Sequence, residues 1–280
     1  MNDSATKSIS LKIPNIKFIS KLLIPLSIIM SGLLISLSLF ISGLNIKNSL
    51  KNITTSSTAN TVATVSPTAA PTIKLNNEVL KGLFDSNKYI TFGNSSAKNL
   101  IVEFTDPSCP FCHLAGGKDP ELNKQVGNQF VLPIDGGNYD PPTEEIRNLV
   151  NQGQASFAFI YTTGHQNGKL GMQALYCAYD QGKFWEAHDL LMSYNGYNLM
   201  NNDIKNDVAN SSKLADFLSS ATNKSAMLDC LKNTKYESRI TQEDQLGQSF
   251  GVQGTPGFFI NTTVFSGAVS FKDMQSAINK

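Results

Sequence analysis

The residues of this 280-residue chain best suited to chemistry are Cys109-Pro110-Phe111-Cys112. Two cysteines three apart at a helix start can close a small disulfide with little backbone movement. The apolar run Leu100–Phe104 before them reads as a buried strand, and a helix-capable segment begins at Cys109. At such a junction the unpaired N–H groups and the helix dipole favour a thiolate on the first sulfur. Proline suits the first helical position, where its missing N–H has no partner to lose. A zinc site is the metal alternative, but zinc takes four ligands, usually two such pairs or a pair with nearby histidines. Cys177 and Cys230 are 53 positions apart, and the close histidine is His113. An inert staple is the remaining alternative. The pattern favours dithiol–disulfide exchange that needs neither metal nor organic cofactor.

Glu103 breaks the apolar strand. One reading is a strand-end glutamate reaching water. The other is a partly buried acid beneath Cys112, whose raised pKa lets it exchange a proton with a sulfur as the disulfide opens.

The elements that position this pair come from the rest of the chain. Residues 1–51 carry six lysines against Asp3, a net of +5, which leaves −4 for the remainder of a chain of formal charge +1. That balance argues against nucleic acid, whose binders need a basic surface. Leu22–Leu44 is free of charge for 23 residues, enough to cross a bilayer as a helix. The preceding lysines set residues 1–21 in the cytoplasm and the chain beyond residue 44 outside, with 22–44 as an uncleaved anchor in preference to a cleaved signal peptide. Residues 45–75 read as a flexible tether; Asn52–Thr72 lacks charge, and 12 of its 21 residues are Ser, Thr or Asn. A coil of that length reaches about 25 Å.

Residues 76–280 then form the working domain. Lys88–Phe92 predicts an edge strand, Ala155–Thr162 a second core strand parallel to the first, and Ser238–Phe250 a helix returning to the core. Phe258–Ile260 and Thr263–Phe265 predict a hairpin, and Phe271–Lys280 a final helix.

Val102-Glu103-Phe104-Thr105-Asp106-Pro107-Ser108-Cys109-Pro110-Phe111-Cys112 resembles the active-site segment of DsbA-like thiol–disulfide oxidoreductases, extracytoplasmic members of the thioredoxin superfamily. Gln181–Asp189 resembles that family's inserted helical region, and Gly251–Asn261 its cis-proline loop with the strand after it. The three stretches stand in the expected order over 88–280. The resemblance implies an α/β thioredoxin fold with a helical insertion over about 165–236. It also implies a cis bond at Pro256 facing the Cys109 sulfur, with the Thr255 backbone, Pro110 and Phe111 meeting an extended client peptide. Reduced exported proteins are then the clients, and a membrane quinone-linked protein of the DsbB or vitamin K epoxide reductase type is the reoxidising partner.

The family pattern breaks after the active site. Gly116-Gly117 and Pro120 stop the helix after about two turns, and helical spacing returns only at Ile146. Gly116–Pro142 therefore reads as an inserted loop of roughly 27 residues, either inert or a flap over Cys109. Trp185, Phe184 and Leu190 are expected in the helical core, and His188 as a core or surface histidine rather than a catalyst. In an exported chain Cys177 and Cys230 are left to each other as a structural disulfide, the alternative being two buried thiols acting as small hydrophobes. His113 helps the Cys109 anion only if protonated. A reductase or isomerase on the same fold, and a tethered binding module without turnover, are the rival functions.

Overall fold

A computed structural model of the chain describes residues 73–86 and 88–279. The basic segment, the 22–44 anchor and the tether through Thr72 lie outside the described residues. Among the described residues no helix is long and apolar enough to cross a membrane.

The strand leading into the cysteines, β2 (Asn99–Thr105), is the middle of a five-stranded sheet. It runs parallel to β3 (Ala155–Tyr161) on one side and antiparallel to β4 (Gly257–Ile260) on the other. The edges are β1 (Ile90–Phe92), antiparallel to β3, and β5 (Thr263–Ser266), antiparallel to β4. Every residue of β2 and β3 is buried, which is why both read as continuous apolar runs: both faces of the sheet are covered. Successive side chains alternate between the two faces. Leu100, Val102 and Phe104 join Leu80, Leu83 and Phe84 of α1 (Asn77–Asp85) in a smaller core. Ile101 faces the larger core built with the helical region. Sequence reading passed over α1, although Asn76 caps it by accepting from Val79 N–H at 2.9 Å and its apolar residues follow a helical spacing.

After β2, α2 (Pro110–Gly116) begins at Cys109 and ends at Gly117, whose φ of 65° is left-handed. The 116–142 segment is not the irregular loop that its glycines and prolines suggest. It holds α3 (Pro120–Val126), started by Asp119 accepting from Leu122 N–H, and two 3₁₀ turns at Asn128–Phe130 and Pro133–Asp135. Asn123, Leu132 and Tyr139 are buried in it. Proline at a first helical turn starts a helix as readily as proline inside one breaks it, and that is what Pro120 does. The segment leads into α4 (Pro142–Asn151), which packs on β3.

The helical region holds α5 (Lys169–Asp180), α6 (Phe184–Leu191), α7 (Tyr194–Asn198) running into a π turn at Leu199–Ile204, α8 (Ser211–Phe217) and α9 (Lys224–Lys232). Cys177 of α5 is disulfide-bonded to Cys230 of α9. Then α10 (Glu237–Ser249) returns to the sheet. The final helix is shorter than predicted: α11 covers Phe271–Met274, followed by one 3₁₀ turn at Gln275–Ala277. Side chains capture the remaining backbone groups. Asn261 Nδ2 donates to Ala277 O at 3.0 Å, and Asn279 N–H donates to Asn99 Oδ1 at 2.8 Å.

Candidate active site

Cys109 caps the amino terminus of α2 in an extended conformation, and its carbonyl accepts from the N–H groups of Cys112 and His113. Its residue surface is 5% exposed. Its sulfur lies 3.4 Å from the carbonyl oxygen of Thr255, and the Thr255–Pro256 bond is cis. Cys112 is deeper, with its sulfur accepting from Asp106 N–H at 3.4 Å. The sequence-designated Cys109, Cys112, Thr255, Pro256, Pro110 and Phe111 thus meet at one end of the sheet.

The two sulfurs ionise very differently. A hydrogen bond from the Cys112 thiol pulls Cys109 down to about 6, against burial, with further help from the Thr255 side chain and the N–H groups at the helix start. Cys112 is pushed far above its ordinary range, first by burial, then by its bond to Cys109 and the charges of Cys109 and Glu103. The Thr255 contacts change with protonation. As a thiol Cys109 donates to Thr255 O, a bond that vanishes when the proton leaves. The Thr255 hydroxyl, buried and without a partner, is then the donor in reach.

Asp106 fastens this loop to the rest of the molecule. Its carboxylate accepts from Ser108 N–H and Oγ and from the N–H groups of Gly164 and His165. Gly164 has to be glycine: a Cβ there would stand 1.7 Å from Thr255 Oγ1. Three chain segments far apart in sequence are thereby held against one sulfur.

Glu103 is buried at 2% exposure, more completely than the partly buried acid anticipated from sequence. Its strand neighbours are Phe159 and Phe258, so hydrocarbon flanks it across the sheet. Burial raises it to about 7, moderated by hydrogen bonds, first from Thr143, whose Oγ1 donates to Oε2 at 3.1 Å. Cys112 feels its charge. With Glu103 at about 7, the acid whose charge Cys112 feels changes protonation state close to neutral pH.

Phe111 is the exposed member of the motif, at 43%. It borders an open groove of about 510 Å³ that runs past Phe130, Gly254, Thr255 and Ala268. Phe130 comes from the inserted segment, and its ring stands edge-on to Phe111 at 6.1 Å. The segment flanks the groove beside the site through Phe130.

His113 is fully buried, its ring nitrogens 3.0 Å from Met192 O and 2.9 Å from Pro107 O. Burial depresses it to about 4, so it is neutral and supplies no charge to the Cys109 anion. His188 is buried against Phe159, Phe184 and Trp185, with Nδ1 3.1 Å from Asp189. No cluster of metal-ligating side chains occurs among the described residues.

Residues 143–280 match the family model described as Thioredoxin. Over 194 residues the chain is 20% identical to the disulfide bond formation protein D of Bacillus subtilis, a match covering 67% of this chain and 74% of that protein. The crystal structure of α-DsbA1 from Wolbachia pipientis superposes with a TM-score of 0.51 at 16% identity, covering 73% of this chain and 94% of the other, a likeness of fold. The chain is thus similar to DsbA-like thiol–disulfide oxidoreductases, with a thioredoxin-type match over its carboxyl-terminal 138 residues. A further match, 23% identical over 193 residues, is to the Na(+)/H(+) antiporter NhaA 3 of Salinispora tropica; it covers 66% of this chain and 24% of the antiporter, so the chain spans about a quarter of that relative.

Within this DsbA-like frame, the groups that sequence reading missed are Asp106, Thr143 and Tyr139. Asp106 stood inside the motif already quoted, and an acid before Pro-Ser is a loop-bracing signal. Thr143 comes after two prolines as a helix-start residue, with nothing local to say that its hydroxyl reaches Glu103.

Proposed function

We propose that this chain is an extracytoplasmic oxidant of protein dithiols, introducing disulfides into exported proteins through Cys109 and Cys112. The observation that carries the reading is Cys109 at a helix start, facing the Thr255 carbonyl that precedes cis-Pro256, with a pKa lowered to about 6. A client thiolate attacks the Cys109 sulfur of the enzyme disulfide, forming a client–Cys109 bond and breaking Cys109–Cys112. The electron pair leaves on Cys112, which takes a proton from Glu103. The client's second thiol, after losing its proton, attacks its own bridged sulfur and expels Cys109 as a thiolate. Two electrons pass from client to enzyme, and the more stable the departing thiolate, the stronger the oxidant.

An extended client strand would lie along the groove beside Phe111, with its main chain on Thr255. The apolar 22–44 stretch is the proposed anchor, which would hold the domain on the outer face of a membrane near a quinone-linked reoxidising protein. A Cys112→Ala variant keeps the Cys109 thiol without the inner one that would release it, so mixed with oxidised exported proteins it should run the exchange in reverse and accumulate mixed disulfides removable by reductant. Acid-trapped wild type should hold Cys109–Cys112 oxidised. Absence of trapped clients, or a reduced pair in the trapped protein, would overturn oxidation as the function and favour a binding module or a reductase respectively.

A further inference from the structure

The inserted segment does more than border the groove. Its carboxyl-terminal part is locked down: Asp140 N–H donates to Ser270 Oγ at 3.1 Å, and Asp140 O accepts from Phe271 N–H at 2.9 Å. That places Tyr139 inside the protein at 2% exposure, its ring edge-on to Phe130 at 5.5 Å. Phe130 in turn meets Phe111, so an aromatic row runs from the motif's exposed residue to a buried phenol. The hydroxyl of Tyr139 is buried and has no hydrogen-bond partner. The Thr105 hydroxyl, close enough to Glu103 and Cys112 to lower both, is also unpartnered at hydrogen-bond geometry. A buried phenol left unpaired costs stability, so its retention points to a partner that exists in another state of the site.

The neighbourhood identifies that state. The titratable groups acting on Tyr139 are Glu103 from β2 and Cys112 from α2; burial, then each of these two, holds its phenol protonated. The neighbouring strands contribute Phe159 and Phe258 beside Glu103, and its own strand contributes Thr105. Of the charged side chains of α4, Glu144 pairs with Lys118 and Arg147 with Asp189. Four residues after Tyr139, Thr143 already donates to one Glu103 oxygen. A carboxylate offers more acceptor positions than one hydroxyl fills.

We propose that Tyr139 is a positioning residue of the redox site, its hydroxyl donating to the Glu103 carboxylate, directly or through one water, once Glu103 has given its proton to Cys112. The inserted segment is then part of the proton-exchange machinery. The phenol keeps its own proton throughout: the proton leaves Glu103, binds the Cys112 sulfur as the disulfide breaks, and the new anion on Glu103 receives the Tyr139 hydrogen bond. Glu103 is reprotonated from solvent before the next cycle.

This rests on the oxidoreductase reading, but its test needs no turnover. In the reduced full-length protein, carboxyl NMR of Glu103 gives its titration directly. Tyr139→Phe should raise the Glu103 pKa by about one unit, the loss expected when an anion forfeits one hydrogen bond. Thiolate absorbance of Cys109 should titrate as before, and the thermal midpoint should hold or rise because an unpaired hydroxyl has gone. In the wild-type protein the Tyr139 Cζ resonance should move with the same midpoint as Glu103, a measurement that stands even if the variant does not fold. In a Glu103→Gln background, Tyr139→Phe should leave the pH profile of mixed-disulfide formation unchanged. An unshifted Glu103 in folded Tyr139→Phe, or a Cζ resonance that ignores the Glu103 titration, would overturn the proposal while leaving dithiol exchange intact.

Discussion

Removing the Cys112 thiol should bring the reactive sulfur most of the way back towards an ordinary cysteine. With Cys109 at about 6, roughly nine-tenths of it is thiolate at about pH 7, against about one part in a hundred for a thiol at its usual value of 9.0. The direction of the shift sets the sign. A depressed acid stabilises the reduced form at pH values above the lowered pKa, and the effect is lost as pH falls through about 6. At about pH 7 the difference amounts to about 1.4 kcal/mol in favour of the reduced enzyme, or about 30 mV of oxidising power. The largest contributor is the hydrogen bond from Cys112. A bond to a charged group contributes about 1.5–3 kcal/mol, so Cys112→Ala should raise the Cys109 pKa by about one to two units. The thiolate fraction at about pH 7 should then fall to between roughly a half and a tenth. Ultraviolet titration of the thiolate, checked by the pH dependence of alkylation, reads both numbers. A wild-type Cys109 that ionises like free cysteine, or a variant with the wild-type pKa, would refute the mechanism at its base.

Other perturbations test the frame. Glu103→Gln should slow opening of the enzyme disulfide, and so formation of the mixed disulfide, by about 10²-fold and remove the inflection near 7 from its pH profile, as stopped-flow kinetics would show. Replacing Cys177 and Cys230 with alanine opens a cross-link spanning 53 residues; the chain-entropy relation gives a loss of about 4 kcal/mol, visible in denaturant unfolding. Buried Glu243 carries little charge at neutral pH because burial lifts it to about 8, while its oxygens serve Tyr161 N–H and the Tyr176 hydroxyl. An acid raised on folding binds its proton more tightly in the native state, so stability falls as pH rises from about 4.5 towards 8. Glu243→Gln should flatten that part of the stability profile in urea melts taken at several pH values.

The sheet was legible because its two central strands are buried on both faces and so show unbroken apolar runs. The redox pair was legible because its chemistry needs a fixed spacing at a helix start. Burial of Glu103 could be suspected from one acid in an apolar strand, but its depth depends on Phe159 and Phe258, which only strand register brings alongside. The Gly116–Pro142 segment misled for a local reason: glycine and proline mark helix ends as well as loops, and nothing near them announces that Tyr139 and Leu132 are buried. The carboxyl-terminal helix was overextended because its amphipathic pattern carries no trace of Asn99 and Asn261 competing for its last backbone groups.

The contact between Cys109 and the Thr255 carbonyl joins positions 146 apart in the chain. A ribosome delivers the cysteine long before the threonine, and Cys177 and Cys230 are also made in between. Through most of synthesis, therefore, the future nucleophile waits without that contact in the company of three other thiols. The share of its acidity that Thr255 supplies, and the groove wall that receives a client, arrive only with the last strands.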